Sequence, residues 1–513
     1  MIHLNDSKNI RLGAILSYVA LGISIVGSLF VSNRVLNYIG DYNYGLYSFV
    51  NSITSWLTIV SSALTASFLR FATIESKDND GKSDNVNTIY LKLLSLLCIG
   101  VVVIGFGLIA FLFFNNIRIG NYSWEDSRFM YLLFALSVFN IGLTMPTAIF
   151  SLYISFKKKF VFAKLLYIFT IIITFAGHFL IAYFTKNVVL IAVFTIFVTL
   201  FNFLINSIYS RKMLNISFAK TTLKNNPSLV KGIIIFSSIL LLNTIVDEIN
   251  TEVDKTLLGF FSIPEDITKY QMAQQLARYL TVMSVAVSGV YAPTIYELVI
   301  KEERESLNSV YLRISKIQSI VLCCIAFGFL TCGKDFILWW LGDERIASYY
   351  VGVALMIISI GPLTMNASIE IQRAMNKHKF RGWVYFIFAI LNVGLSILFL
   401  CIFDREYAVY SCLAGTVISR IGSHWIAMNI YNKKSICLPV ERYLLVLVSY
   451  MTIGVIAFVA VLFFNQLFII NISSHLFRFL IQGSIFTFIY LLICFIVNRK
   501  MFFSYFKNLP KKE

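Results

Sequence analysis

Charge is what this sequence has least of. Only 13% of its 513 residues are Asp, Glu, Lys or Arg, and 58% are hydrophobic. Soluble domains run near a quarter charged and half apolar, so a soluble globular protein is excluded. The mean hydropathy of +0.78 points to a chain threaded many times through a bilayer. The eight cysteines include no C-x-x-C pair and lie mostly inside apolar runs. They read as small buried hydrophobes, which leaves no disulfide framework and no zinc site. The zinc-helix pattern H-E-x-x-H and the nucleophile elbow G-x-S-x-G are both absent. Gly81-Lys82-Ser83 resembles the end of a P-loop but lacks the earlier glycine and sits in a polar loop. No cofactor and no ATP hydrolysis by this chain are expected, and the chain is not expected to be an enzyme. The formal charge of +17 would suggest nucleic acid in a soluble protein. Here the cations lie in short loops between apolar runs, so no nucleic-acid partner is expected.

What is present is hydrophobic length. A membrane span needs about 20 apolar residues, and fourteen such runs can be read. The first lies near 12–32, the seventh near 232–258 and the eighth near 270–296. The twelfth lies near 408–430 and the last near 477–498. Lys8 and Arg11 precede a first run too long for a signal-peptide core, and no small-residue cleavage site follows it. It is read as a retained span. An even count puts both termini on one side of the membrane. The loops on that side hold Lys157, Lys158, Lys159, Arg211, Lys212, Lys377, Lys379, Lys433 and Lys434, and the tail adds Lys511 and Lys512. The positive-inside rule makes that side cytoplasmic. The outer loops are too short to fold as a catalytic domain.

The chain also repeats itself weakly at an offset of roughly 220 residues. Asn33-Arg34, Gly40, Tyr47 and Leu57 match Asp254-Lys255, Gly259, Tyr270 and Leu280. Ile141-Gly142, Pro146 and Lys159-Phe160 match Ile360-Gly361, Pro362 and Lys379-Phe380. Copies with an even number of spans insert in the same orientation, a known transporter plan. The fold class is therefore an all-α polytopic membrane protein. Residues 1–213 and 214–432 form two six-helix lobes as parallel repeats. Residues 433–513 supply two further helices and a cytoplasmic tail.

Two six-helix lobes with two trailing helices, together with the run Asp254-Lys255-Thr256-Leu257-Leu258-Gly259, then Tyr270 and Pro293, resemble the multidrug/oligosaccharidyl-lipid/polysaccharide (MOP) exporter superfamily. Within it the chain is similar to the Wzx-type polysaccharide and O-antigen flippases. The resemblance implies a MATE-like fold in the bacterial cytoplasmic (inner) membrane. It implies movement of undecaprenyl-diphosphate-linked oligosaccharide from the inner to the outer leaflet by alternating access, coupled to a proton or a sodium ion. The implied partners are that lipid-linked oligosaccharide, membrane lipids, and polysaccharide polymerase or assembly proteins. The alternatives are an ion-coupled exporter of amphiphilic cations, a flippase for the peptidoglycan precursor lipid II, and a non-transporting scaffold.

Candidate site residues are the polar groups inside spans. A charge at a helix centre costs about 2.5–3.5 kcal/mol on insertion scales, so it faces protein or water. Asn243, Asp247, Thr251 and Asp254 share one face of the seventh span, with Glu248, Glu252 and Lys255 on the adjoining ridge. Gln271, Gln274, Gln275, Arg278 and Thr281 line one face of the eighth span. Asn51, Ser55, Thr58, Ser62 and Thr65 line one face of the second, either toward a wet cavity or as helix-packing residues. Arg278 lies deep, and its donor fork suits a diphosphate; the rival reading is an ion pair with Asp247 or Asp254. Arg420, beside Ser423 and His424, is a second deep cation. Arg34 and Lys255 hold matched places near the outer ends of their spans, to draw an anionic head group or to anchor helix ends. Asp247, Glu248 and Asp254 are the candidates for ion coupling, because a carboxylate in a low-dielectric setting can exchange its charge for a proton. The acid-rich seventh span departs from the family's usual picture. The near absence of acids from the first six spans counts against an exporter of organic cations.

Overall fold

A computed structural model describes residues 2–507 apart from 79–81, 121, 378 and 467–471. Gly81, Lys511, Lys512 and the side chains of Lys8, Arg11 and Pro293 lie outside the described set. Every regular element is a helix among the described residues. The chain divides into two compact units, 1–268 and 269–513.

The first unit holds α1 (Ile2–Ile39), α2 (Asp41–Ser55), α3 (Ile59–Asp78), α4 (Asp84–Phe114), α5 (Trp124–Phe156), α6 (Phe160–Thr185), α7 (Val188–Lys212) and α8 (Pro227–Phe261). The next helix, α9 (Pro264–Ile300), begins in this unit and continues into the second. The second unit contains α10 (Arg304–Trp340), α11 (Ala347–Thr364), α12 (Asn366–Ala374), α13 (Lys379–Ile402), α14 (Ala408–Arg420), α15 (Asn429–Lys434), α16 (Val440–Phe464) and α17 (His475–Lys507). Twelve helical segments among the described residues are long and apolar enough to cross a membrane. The two remaining expected spans are helical as well. The eighth is α9, which carries Lys269 and Arg278 with three glutamines between them. The twelfth is α14, which passes through a π-helical segment, Ile421–Met428, into α15.

Large apolar side chains point outward, as a lipid-facing surface requires: Ile104 is 69% exposed and Phe30 64%. Helices meet where residues are small. Gly45 of α2 lies against the backbone of Pro264, and a Cβ there would stand 2.8 Å from the Pro264 Cα. Backbone cannot move aside as a side chain can, so Gly45→Leu is expected to destabilise the protein by about 1–3 kcal/mol. A lowered melting midpoint in detergent would show it, with Gly40→Ala as a strained-φ comparison, since Gly40 sits at φ 86°.

In the first unit α8 packs on both α2 and α3. Ser67 of α3 bonds Tyr90 of α4 at 2.6 Å and Ser237 of α8 at 3.0 Å, so three helices share one hydroxyl cluster. The connection before α8 is docked on the start of α4. Asn87 Nδ2 donates to the Ser217 carbonyl at 3.1 Å, and the Thr88 hydroxyl donates to the Ala219 carbonyl at 3.1 Å. Glu75 caps the same helix start by accepting from the amides of Asn85 (3.1 Å) and Val86 (2.8 Å), where the helix dipole favours a negative charge. The connection between α7 and α8 thus has a fixed seat that sets where α8 begins.

Candidate functional site

The second span is not one uniform helix. Its hydroxyls bond back to their own backbone: Ser52 to the Phe49 carbonyl at 2.7 Å, Ser55 to Ser52 at 2.7 Å and Thr58 to Ser55 at 2.7 Å. Such back-bonding bends helices, and a 3-10 turn, Trp56–Thr58, separates α2 from α3. Beside this irregularity lies the charged part of α8. Thr256 donates to the Ser52 hydroxyl at 3.1 Å. The Glu248 carboxyl lies beside Ser55. Its Oε1 is enclosed and has no partner.

The structure sorts the two ridges of α8. Asn243, Asp247 and Thr251 are exposed, whereas Glu248 and Glu252 are half-buried. Asp254 and Lys255 are buried, at 3% and 4% exposure. Lys255 Nζ pairs with Glu252 at 2.5 Å. Asp247, Glu252 and Lys255 are all near enough to act electrostatically on Glu248. A carboxylate with one unmatched oxygen, set beside a second carboxylate and one ammonium, can take up a proton or a small cation. Of the expected second-span stripe, Ser55, Thr58 and Thr65 are half-buried while Asn51 and Ser62 are exposed. Ser52 is the hydroxyl that periodicity alone did not single out.

In the second unit α9 has an apolar and a polar face. Met272, Ala273, Leu276, Ala277 and Leu280 are buried. Gln271, Gln274 and Gln275 are half-buried and Arg278 is exposed. Gln275 Nε2 donates to the Tyr279 hydroxyl at 3.0 Å. Arg278 makes no ion pair and no hydrogen bond among the described residues, so its five donors remain available to a ligand. Arg34 is exposed on α1, while Lys255, its repeat counterpart, is buried in an ion pair. The matched places therefore hold cations in different environments.

Arg420 ends α14 half-buried, and its Nη1 donates to Ser359 Oγ of α11 at 2.7 Å. Ser423 and His424 Nδ1 are 2.7 Å apart, and the His424 ring stacks on Tyr385 at 4.4 Å. The π-helical segment that follows seats Trp425 against Gly361, where a Cβ would stand 2.6 Å from the indole Cζ2. The Trp425 indole donates to the Ile358 carbonyl at 3.2 Å. This packs α14 on α11 just before Pro362, beyond which α11 stops at Thr364. Arg420 is thus engaged in helix packing. Arg420→Ala is expected to lower stability by about 1.5–3 kcal/mol, as for a hydrogen bond from a charged group, read as a lower melting midpoint.

Outside the expected set, Glu370 and Arg373 form a local pair at 2.7 Å, and His178 bonds Thr195 at 3.2 Å. A further cluster went unread in the sequence. Asp335 of α10, only 9% exposed, meets His475 at 2.8 Å, Gln482 at 3.2 Å and Arg478 at 3.6 Å, all from α17.

Comparison with known proteins accords with this architecture. A family model described as "Polysaccharide biosynthesis protein" matches residues 39–349. No curated protein matches the chain. Among solved structures the chain is similar to the lipid II flippase MurJ in its inward closed conformation, with TM-score 0.69 and 18% identity, covering 95% of this chain and 100% of that one. It is similar to a eukaryotic MATE transporter, with TM-score 0.56 and 12% identity, covering 86% of this chain and 98% of the other. It also resembles an inward-facing multidrug resistance MATE family transporter of the MOP superfamily, with TM-score 0.54 and 13% identity, covering 84% and 99%. The fold is that of the MOP superfamily.

Proposed function

The chain belongs to the polysaccharide biosynthesis protein family, and from that premise we propose that it flips undecaprenyl-diphosphate-linked oligosaccharide repeat units across the bacterial cytoplasmic membrane by alternating access, for O-antigen, capsule or exopolysaccharide assembly. The observation that carries this reading is the polar face of α9, where Arg278 is exposed and unpaired beside Gln271, Gln274 and Gln275. A membrane helix with such a face needs water or a polar ligand against it. A guanidinium fits a diphosphate bidentately, and glutamine amides suit sugar hydroxyls. The lipid tail stays in the bilayer, so no charged head group crosses bare hydrocarbon. The reaction breaks no covalent bond, and no catalytic residue is assigned. The termini lie in the cytoplasm by the positive-inside rule, which opens the loading side to newly made lipid-linked sugar. Polymerase and assembly proteins are the partners this reading implies.

The coupling role falls to Glu248 rather than to exposed Asp247. Its enclosed Oε1 has no partner, and Glu252 and Lys255 are its charged neighbours. Glu248 binds the proton or sodium ion whose gradient drives the cycle. Glu248→Gln is expected to cut gradient-driven flipping in proteoliposomes about tenfold and to abolish its ion dependence, while Asp247→Asn keeps both. Equal behaviour of the two variants would remove Glu248 from this role.

The whole reading is tested by deleting the gene in its host and restoring it. The expected result is loss of surface glycan with lipid-linked intermediate accumulating on the cytoplasmic side, both reversed by the wild-type chain. Intact surface glycan after deletion overturns the substrate assignment.

A further inference from the structure

The first unit contains a cavity lined at one edge by Phe260, near the end of α8. It encloses about 360 Å³, within the range of small-ligand sites. Its walls come from α2, the 3-10 turn after it, α4 and α5, including Ile53, Leu57, Leu108 and Val138, and its roof from the connection between α4 and α5. Counting crossings from α1 places that connection on the membrane side away from the N-terminus.

Two properties define what fits. The cavity is dry by construction. The Thr54 hydroxyl donates to the Val50 carbonyl at 2.9 Å, and the Tyr131 hydroxyl donates to the Ile117 carbonyl. The two hydroxyl side chains in the lining have therefore committed their hydrogens, whereas a buried water needs about two to four polar partners. Hydrocarbon fits and water does not. The cavity also borders the lipid-facing surface, because Ile104 and Leu108 in its lining are 69% and 56% exposed.

The second property is charge. Arg118 is the one charged residue in the lining, and it is exposed. It has no ion pair or hydrogen bond among the described residues. The neighbouring acid Asp126 is engaged by Ser123, whose hydroxyl is 2.5 Å from its carboxylate. The nearby cation Arg128 lies over the Phe113 ring at 6.0 Å. An apolar slot open to lipid, with a single unmatched guanidinium at its lip, complements an amphiphile that has a hydrocarbon chain and a phosphate.

We infer that this cavity holds one acyl chain of an anionic phospholipid from the leaflet away from the N-terminus, with the lipid phosphate on Arg118. The site is separate from the proposed diphosphate site on α9, and its occupancy is read without any transport assay.

The test is native mass spectrometry of the full chain in mild detergent, titrated with phosphatidylglycerol, diacylglycerol and a polyisoprenyl phosphate. One phosphatidylglycerol is expected to bind per chain about tenfold tighter than diacylglycerol, which has the same chains and no phosphate, the scale of one charge-assisted contact. Arg118→Gln, on an exposed connection, is expected to bring that ratio to about one. Ile53→Phe, which fills the cavity wall, is expected to remove binding of both lipids. Lys186→Gln, another exposed cation on the same membrane side, leaves the wild-type pattern. A preference that survives Arg118→Gln, retained lipid in Ile53→Phe, or displacement of phosphatidylglycerol by equimolar polyisoprenyl phosphate would each overturn the assignment.

Discussion

Arg278→Ala is expected to lower flipping of lipid-linked oligosaccharide about 30-fold in proteoliposomes and to leave lipid-linked intermediate on the cytoplasmic side in cells. A guanidinium–diphosphate contact is charge-assisted and worth roughly 1.5–3 kcal/mol, and 1.4 kcal/mol is tenfold in affinity. Arg278→Lys keeps the charge but loses the planar fork, so it is expected to recover most of the lost rate without reaching wild type. Arg278 is exposed and makes no ion pair among the described residues, so its removal leaves no buried charge behind. The melting midpoint should stay near the wild-type value, which separates a ligand role from a structural one. Wild-type flipping by Arg278→Ala would remove the diphosphate site from α9.

How far the sequence carries the architecture follows from what periodicity encodes. Apolar runs near 20 residues place the spans, and of the two segments missing from the apolar twelve α9 has a polar face and α14 runs into a π-helical segment. The polar face of α9 is legible because Gln271, Gln274, Gln275 and Arg278 recur at helical spacing. Periodicity also groups Glu248 with Glu252 and Lys255. It does not say which ridge of α8 meets a neighbour, because that depends on where α2 lies. Hence Asp247 and Glu248 look equivalent in sequence, yet one is exposed and the other half-buried. The repeat likewise pairs Arg34 with Lys255 but cannot give Lys255 its ion pair, since Glu252 has no counterpart one turn before Arg34. The 3-10 turn after Ser55 and the π-helical segment after Arg420 arise from hydroxyl back-bonding and from Trp425 seated on Gly361. Both are effects of specific neighbours, and apolar patterning is blind to them. Asp335 shows the same limit: its partners His475, Arg478 and Gln482 lie on α17, some 140 residues away.

Lys255→Met tests whether the charged part of α8 is held as a unit. Lys255 is 4% exposed, and its pair with Glu252 has side-chain exposures of 6% and 15%. Removing one member of a buried pair strands the other charge, at about 3–5 kcal/mol. At about 2–4 °C per kcal/mol that corresponds to a fall of roughly 6–20 °C in melting midpoint. The double variant Lys255→Met with Glu252→Gln removes both charges and is expected to regain most of the loss, because replacing a buried pair by neutral groups is often close to neutral. The same comparison bears on coupling. With Lys255 gone, Glu248 loses the ammonium that offsets Glu252. Gradient-driven flipping by Lys255→Met is therefore expected to fall, while the double variant, which removes Glu252 together with Lys255, should keep the wild-type ion dependence. Stability that falls equally in both variants would place Lys255 in packing alone.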